Sequence, residues 1–146
     1  MAIEALQENI RLILLHDSYA DRRVLEPLNL NLPRFFMLHH IEENPGLNFA
    51  LLSRLTLTDR ASASRMVRSM ELSGLIRREL DQSDRRNYAL YLTERGRRLL
   101  FRAREAYAVD LAARFGDLSS DELTLLTALA ARLVQSYRRH QGEVAG

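Results

Sequence analysis

The residues best equipped for chemistry are arginines and serines gathered in one stretch, Thr58–Gly96. It runs TDRASASRMVRSMELSG, LIRREL, DQSDRR, NYALYL and TERG. At about 100° per residue, Ala63, Met66, Val67 and Met70 share one stripe of a helix. Arg65 and Arg68 point to the opposite side, with Ala61 and Ser69 close to them and Ser62 and Ser64 on the flanks. A guanidinium is a planar fork of donors, so Arg65 and Arg68 can bond bidentately to guanine O6/N7 or clamp phosphates. Ser62 and Ser64, near the helix N-terminus, suit phosphate or base contacts, helped by the free N–H groups there. Ala61 can meet a thymine methyl. Arg85 and Arg86 stand at the tip of the following hairpin, and Arg86 suits a narrow, electronegative minor groove. Asp84 cannot favour DNA directly. Its expected task is to hold a nearby arginine, with Arg86 one candidate partner. Any one of these arginines is equally an ordinary solvated cation. Their joint placement on one helix face and one adjacent turn is what a winged helix-turn-helix needs to hold DNA.

The charge distribution agrees. All 21 basic residues are Arg, and Lys is absent. Net charge is only +2, yet the pI is 9.4. Between Arg54 and Arg98 there are 11 Arg against 6 acids, and elsewhere 10 against 13. Positive charge therefore collects where the candidate reader lies. No cysteine is present, which removes disulfides, thiolate metal sites and thiol redox sensing. No apolar run approaches the ~18 residues of a membrane span, and the N-terminus lacks a secretion signal, so a cytoplasmic location is expected. Nucleophile-elbow, dinucleotide, P-loop and zinc-protease motifs are absent, so no enzyme and no cofactor is expected. His39 and Glu43 have the i, i+4 spacing of two metal ligands, but no third ligand is evident, so no metal site is expected.

The elements that must position the reader follow from caps and periodicity. Residues 3–25 make a long helix with Ile3, Leu6, Ile10, Ile13, Leu14 and Leu25 on one stripe. Asn31 caps a second helix, with Pro33 in its first turn, Leu30 and Phe35 as its hydrophobic staple, and an end near Asn44-Pro45-Gly46. Asn48 caps a short third helix, and a turn at Thr56–Thr58 follows. Thr58 or Asp59 then caps the Arg-rich helix, which Gly74 ends. Leu75–Leu80 and Asn87–Leu92 are expected strands. Thr93 caps a helix from about Glu94 to Phe115, ended by Gly116. Ser119–Glu122 is a capping box, with Leu118 and Leu123 as staple. It opens a last helix with Leu126, Leu129, Ala130, Leu133, Val134 and Tyr137 on one side. Arg138, Arg139 and His140 are expected in its last turn, followed by a frayed tail from Gly142. The fold class is mainly α (α+β), in the order H-H-H-H-β-β-H-H. The apolar terminal helices are expected to pack against each other and against a second subunit.

Asp84 to Gly96 fits D-x-R-x-x-x-[hydrophobic]-x-L-T-x-x-G. That pattern is the wing signature of the MarR/SlyA family of bacterial winged helix-turn-helix regulators. Met70-Glu71-Leu72-Ser73-Gly74-Leu75-Ile76 resembles the family's link between recognition helix and wing. Leu30-Asn31-Leu32-Pro33-Arg34-Phe35 is similar to its L-T-x-x-Q-F helix start, with Arg34 where Gln is usual. The resemblance implies one MarR-like domain over 1–146, with residues 1–30 and 97–146 dimerising and 31–96 forming the DNA-binding region. It implies a homodimeric repressor on a pseudo-palindromic operator of double-stranded DNA. The helix from Asp59 to Ser73 would enter the major groove and Arg86 the flanking minor groove. It also implies release by a small aromatic or phenolic ligand between the two regions. His16, Tyr19, Phe36, His39 and Tyr107 are candidates to line that pocket. The DNA-contact set is Ser62, Ser64, Arg65, Arg68, Asp84, Arg85 and Arg86. The competing classes are a winged-helix protein-interaction module and an architectural DNA binder without sequence preference.

Overall fold

A side chain that caps the start of one helix and bonds the chain leaving another is the main fixture of this fold. The computed structural model describes residues 1–84 and 86–145. Among these residues, six α-helices and one hairpin follow in the expected order: α1 (Ala2–Leu25), α2 (Leu32–Glu43), α3 (Phe49–Thr56), α4 (Arg60–Leu72), β1 (Ile76–Leu80), β2 (Tyr88–Leu92), α5 (Glu94–Arg114) and α6 (Ser120–Ala145). A 3-10 turn at Glu26–Leu28 joins α1 to α2. The chain divides into two compact units, Met1–Ala108 and Val109–Gly146.

Local side-chain chemistry sets the helix starts. Asn31, Asn48 and Asp59 each accept a backbone N–H from the residue three further on, which satisfies an orphan donor of the first turn. Of the two residues offered for the α4 cap, Asp59 takes it. The turn before it is tighter than expected: α3 runs through Thr56, and Leu57 adopts the left-handed conformation at φ 51°. At Gly74, with φ 74°, a glycine holds the corresponding place. There Leu75 N–H donates to Met70 C=O and Gly74 N–H to Glu71 C=O, the paired bonds of a Schellman end.

The first unit buries its core between α2, α3, α4, the hairpin and the facing sides of α1 and α5. Leu25, Met37, Leu38, Ile41, Leu52, Val67, Met70 and Leu100 are fully enclosed. Within α4 the stripe divides as its spacing predicts: Ala63, Val67 and Met70 are buried and Met66 packs against them. β1 and β2 pair antiparallel from Ile76↔Leu92 to Leu80↔Tyr88. A third partner, not expected from the sequence, joins at an isolated bridge between Leu47 and Leu90. Gly46 N–H donates to Leu90 C=O and Leu90 N–H to Leu47 C=O. The wing is thus tied to the chain entering α3.

Thr93 and Gly96 fix the start of α5. The Thr93 hydroxyl donates to Gly74 C=O and accepts from Gly96 N–H, while Thr93 N–H donates to Leu75 C=O. A Cβ on Gly96 would lie 2.1 Å from Leu75 O, well inside van der Waals contact. The end of α4 and the start of α5 meet here with no room for a side chain.

In the second unit, Ser119 and Glu122 form the expected capping box, Ser119 N–H donating to Glu122 Oε2 at 2.8 Å and Glu122 N–H to Ser119 Oγ at 3.2 Å. The far end of α6 corrects the sequence reading. The helix continues through Gly142 to Ala145, so Arg138, Arg139 and His140 lie before its last turn and Gly142 starts no frayed tail. Glycine in a helix interior costs only about 1 kcal/mol relative to alanine, too little to stop a long helix. Gly146 lies outside the described residues. Leu125, Leu126, Leu129, Val134 and Tyr137 are exposed along α6, as are Ile3, Leu6, Ile13 and Leu14 along α1.

Gly96→Ala is expected to lower stability by about 1–3 kcal/mol, the usual cost of an extra methyl in a packed site, read as a drop in thermal midpoint. Gly142→Ala, where nothing lies within 4 Å of the added Cβ, is expected to hold or slightly raise the midpoint. Equal midpoints for the two variants would remove the close-approach account of Gly96.

Candidate nucleic-acid interface

The outward face of α4 is built from its cap. Asp59 accepts the Ser62 N–H at 2.8 Å and the Ser62 hydroxyl at 2.7 Å. Arg65 Nη2 in turn donates to Ser62 Oγ at 3.0 Å. The Ser62 hydroxyl bond, then its backbone bond, and the Arg65 charge hold the Asp59 carboxyl below its ordinary value. A depressed carboxylate stabilises the fold above its unfolded pKa and loses that contribution as pH falls through the folded one. The cap is therefore fully formed at neutral pH. Ala61, Ser64, Arg65 and Arg68 stand exposed, and Ser62 is half-buried. Ser69 departs from the expected front. It is half-buried and accepts from Arg34 Nη2 at 2.9 Å, so the residue that replaces the usual Gln braces α2 against α4.

The wing loop is organised by its acids. Asp81 accepts the N–H and hydroxyl of Ser83, bonds that keep its carboxyl below the ordinary value. Asp84 accepts Arg86 N–H at 3.0 Å, Asn87 Nδ2 at 3.1 Å and Arg86 Nε at 3.4 Å. The Arg86 side chain remains 92% exposed. Arg85 lies outside the described residues.

Other arginines of the basic stretch have structural work. Arg78 forms a bidentate pair with Glu71, its Nη2 at 2.7 Å from Oε2, and lies over the Phe49 and Tyr88 rings. Arg77 pairs with Glu79 and lies 4.4 Å from the centre of the Tyr91 ring. Arg97 is held by Glu94 and by Leu92 C=O. Arg68 has no hydrogen bond or ion pair among the described residues. Net charge over the stretch thus overstates the cations free to meet a ligand; among the described residues, Arg60 and Arg68 on α4 and Arg95 on α5 have no such bond.

The five candidate pocket residues take different places. His16 and Tyr19 lie exposed on α1, with Arg22 6.0 Å from the centre of the Tyr19 ring. Phe36 is exposed on α2, and Tyr107 is buried with its ring 5.0 Å from that of Phe35. His39 Nδ1 lies 2.9 Å from Arg104 Nη2, and Arg104 also bonds Glu42 at 2.6 Å and lies 3.6 Å from Glu43. A guanidinium thus occupies the ground between His39 and Glu43. Burial, then the neighbouring His39, hold His40 below the ordinary imidazole value. A cavity of about 450 Å³ lies elsewhere, between the α1–α2 link, the end of α4 and the start of α5. None of the five residues lines it. Arg34, Arg95, Arg98 and Arg102 do. The i, i+3, i+7 spacing of the last three on α5 was the signal available in the sequence.

Comparison with known proteins bears on this geometry. A model of the MarR family matches residues 28–87, which span α2 through the wing loop. The putative transcriptional regulatory protein for the hcr operon of Thauera aromatica is 37% identical over 84 residues, covering 56% of this chain and 51% of that protein. A crystal structure of MarR is similar with a TM-score of 0.81 and 29% identity, covering 94% of each chain. The transcriptional repressor CouR, bound to a 23-mer DNA duplex, is similar with a TM-score of 0.83 and 26% identity, covering 91% of this chain and 94% of that one.

Glu71→Ala strips a half-buried guanidinium of its bidentate partner. It is expected to cost about 1–3 kcal/mol, the range for hydrogen bonds to charged groups, measured as a lower denaturant midpoint. Arg68→Ala, with no partner to lose, is expected to stay within about 0.5 kcal/mol of the parent. A reversal of that order would sink the division between structural and free arginines.

Proposed function

We propose, for a chain that belongs to the MarR family of transcriptional regulators, that it is a DNA-binding repressor acting as a homodimer. Family membership sets an enzymatic role aside. The observation that carries the reading is the exposed face of α4, where Ala61, Ser64, Arg65 and Arg68 stand together over a buried stripe. Arg65 and Arg68 suit guanine edges, and Ser62 and Ser64 suit phosphates or bases, when α4 lies in a major groove. Asp84 orders the loop from which Arg85 and Arg86 would reach the adjacent minor groove. The CouR–DNA complex supports such docking for this fold.

The homodimer is supported by the apolar side chains left open along α1 and α6. An amphipathic helix with an uncovered stripe needs a partner surface. Residues 1–30 and 97–146 would form the shared region and 31–96 the reader. Two copies would place two α4 helices in successive major grooves about 34–36 Å apart, on an inverted repeat. A small aromatic or phenolic effector would act by binding better to a dimer with another spacing. His16, Tyr19, Phe36, His39 and Tyr107 are its proposed contacts, brought together once the second copy is present. No described helix is long and apolar enough to cross a membrane, and a cytoplasmic location is part of this reading.

Selection from a random duplex library at ~150 mM salt, where non-specific binding is weak, tests it. The expected result is an inverted repeat with half-sites about one helical turn apart. No enrichment by folded, dimeric protein would exclude a sequence reader and leave an architectural or protein-binding module. On the selected site, Arg65→Ala is expected to cost about 1–3 kcal/mol, measured by titration at fixed salt. Unchanged affinity and unchanged site preference would withdraw that role from Arg65. Leu129→Asp is expected to shift the protein to monomer in equilibrium sedimentation and to weaken operator binding with it. A dimer that persists in the variant would move the interface away from that part of α6.

A further inference from the structure

The geometry points to a second ligand site, the recess lined by Arg34, Arg95, Arg98 and Arg102, which takes a small organic anion bearing at least two negative charges. The cavity of about 450 Å³ falls in the range of small-molecule sites. Four of its lining residues are arginines and none is an acid. Three of them repeat at i, i+3 and i+7 on α5, a like-charge arrangement that disfavours the free helix. Among the described residues, Arg95 and Arg102 have no hydrogen bond or ion pair, and Arg98 meets only Glu94 at 3.8 Å. Other arginines of the chain are closely paired, as with Arg78 on Glu71 and Arg104 on Glu42. An unneutralised guanidinium cluster around a concavity is a receptor for carboxylate or phosphate groups, which its forks match bidentately. A monoanion would leave most of that charge uncompensated.

The floor supplies the rest of the ligand's chemistry. Leu28, Leu75 and Leu99 line the recess beneath the cationic rim. That apolar floor would meet a carbon skeleton, and a duplex backbone has no use for it. None of the candidate aromatic-effector residues lines this recess, so its site is separate from theirs. Its occupant would touch the end of α4 at Ser73 and Leu75. It would also compete for Arg34, which is held on Ser69 at 2.9 Å. Any consequence for DNA affinity rests on the repressor reading. Occupancy of the recess does not.

The experiment is calorimetric titration of the full, DNA-free chain with inorganic pyrophosphate, with citrate and with benzoate, at constant ionic strength. The expected result is saturable binding of at least one of the two polyanions, at least tenfold tighter than benzoate. Pyrophosphate against citrate decides between phosphate and carboxylate as the preferred head. Arg95→Gln combined with Arg102→Gln, both on an exposed helix face, should weaken that binding at least tenfold. Arg132→Gln on α6 should leave it unchanged. Absence of binding to folded protein overturns the proposal, as does equal loss in the Arg132→Gln control. If neither polyanion binds and the double variant instead loses affinity for duplex DNA, the recess seats DNA backbone and the proposal fails.

Discussion

The close approach at Gly96 is the constraint on which the reader depends. Gly74–Leu75 ends α4 and begins β1, while Thr93–Gly96 ends β2 and begins α5. Thr93 joins the two pairs through its hydroxyl and its N–H. Because a Cβ at Gly96 would sit 2.1 Å from Leu75 O, the backbones touch without side chains between them. α4, the hairpin and α5 therefore leave one point. A backbone contact transmits displacement with little slack, since packed interiors do not deform continuously.

Arginine serves two opposed purposes in this chain, and burial separates them. Arg78 lies over Phe49 and Tyr88 and is bonded bidentately to Glu71. Arg104 is likewise consumed by Glu42 and His39. A half-buried guanidinium needs such partners because desolvating an unpaired charge is costly. Arg68 and Arg86 keep their water and so need none. With lysine absent, sequence alone offers no distinction in residue type between the two roles. Only the three-dimensional neighbours make it.

What was legible in the sequence was local. Asn31, Asn48, Asp59, Thr93 and Ser119 announced helix starts because a cap acts over three residues. Gly74 announced a helix end because its φ of 74° suits glycine. The α4 stripe followed from a single period. The misses were contacts between distant segments: the Leu47–Leu90 bridge, the Arg34–Ser69 brace and the Arg104–His39 bond. None has a spacing rule that would expose it. The end of α6 was misjudged for a different reason. Basic residues favour a helix C-terminus without dictating one, and Gly142 weakens a helix without breaking it.

The two halves of the proposed DNA surface differ in how far they are prepared before contact. On α4, Asp59, Ser62 and Arg65 form a chain of hydrogen bonds that starts from a helix cap. Arg65 is thereby presented from a helix with one side-chain hydrogen bond already in place. Arg86 is tied to Asp84 through its N–H, but its Nε lies 3.4 Å from the carboxylate and the side chain is 92% exposed. Ordering such a side chain at an interface costs about 0.5–1.5 kcal/mol. In the proposed complex the ordering cost therefore falls on the wing and the register is set by α4. A prepared fork reads an edge whose position is fixed, whereas an exposed, loosely bonded cation can follow a groove whose width varies with sequence. The division of labour follows from the hydrogen bonds each arginine has before DNA arrives.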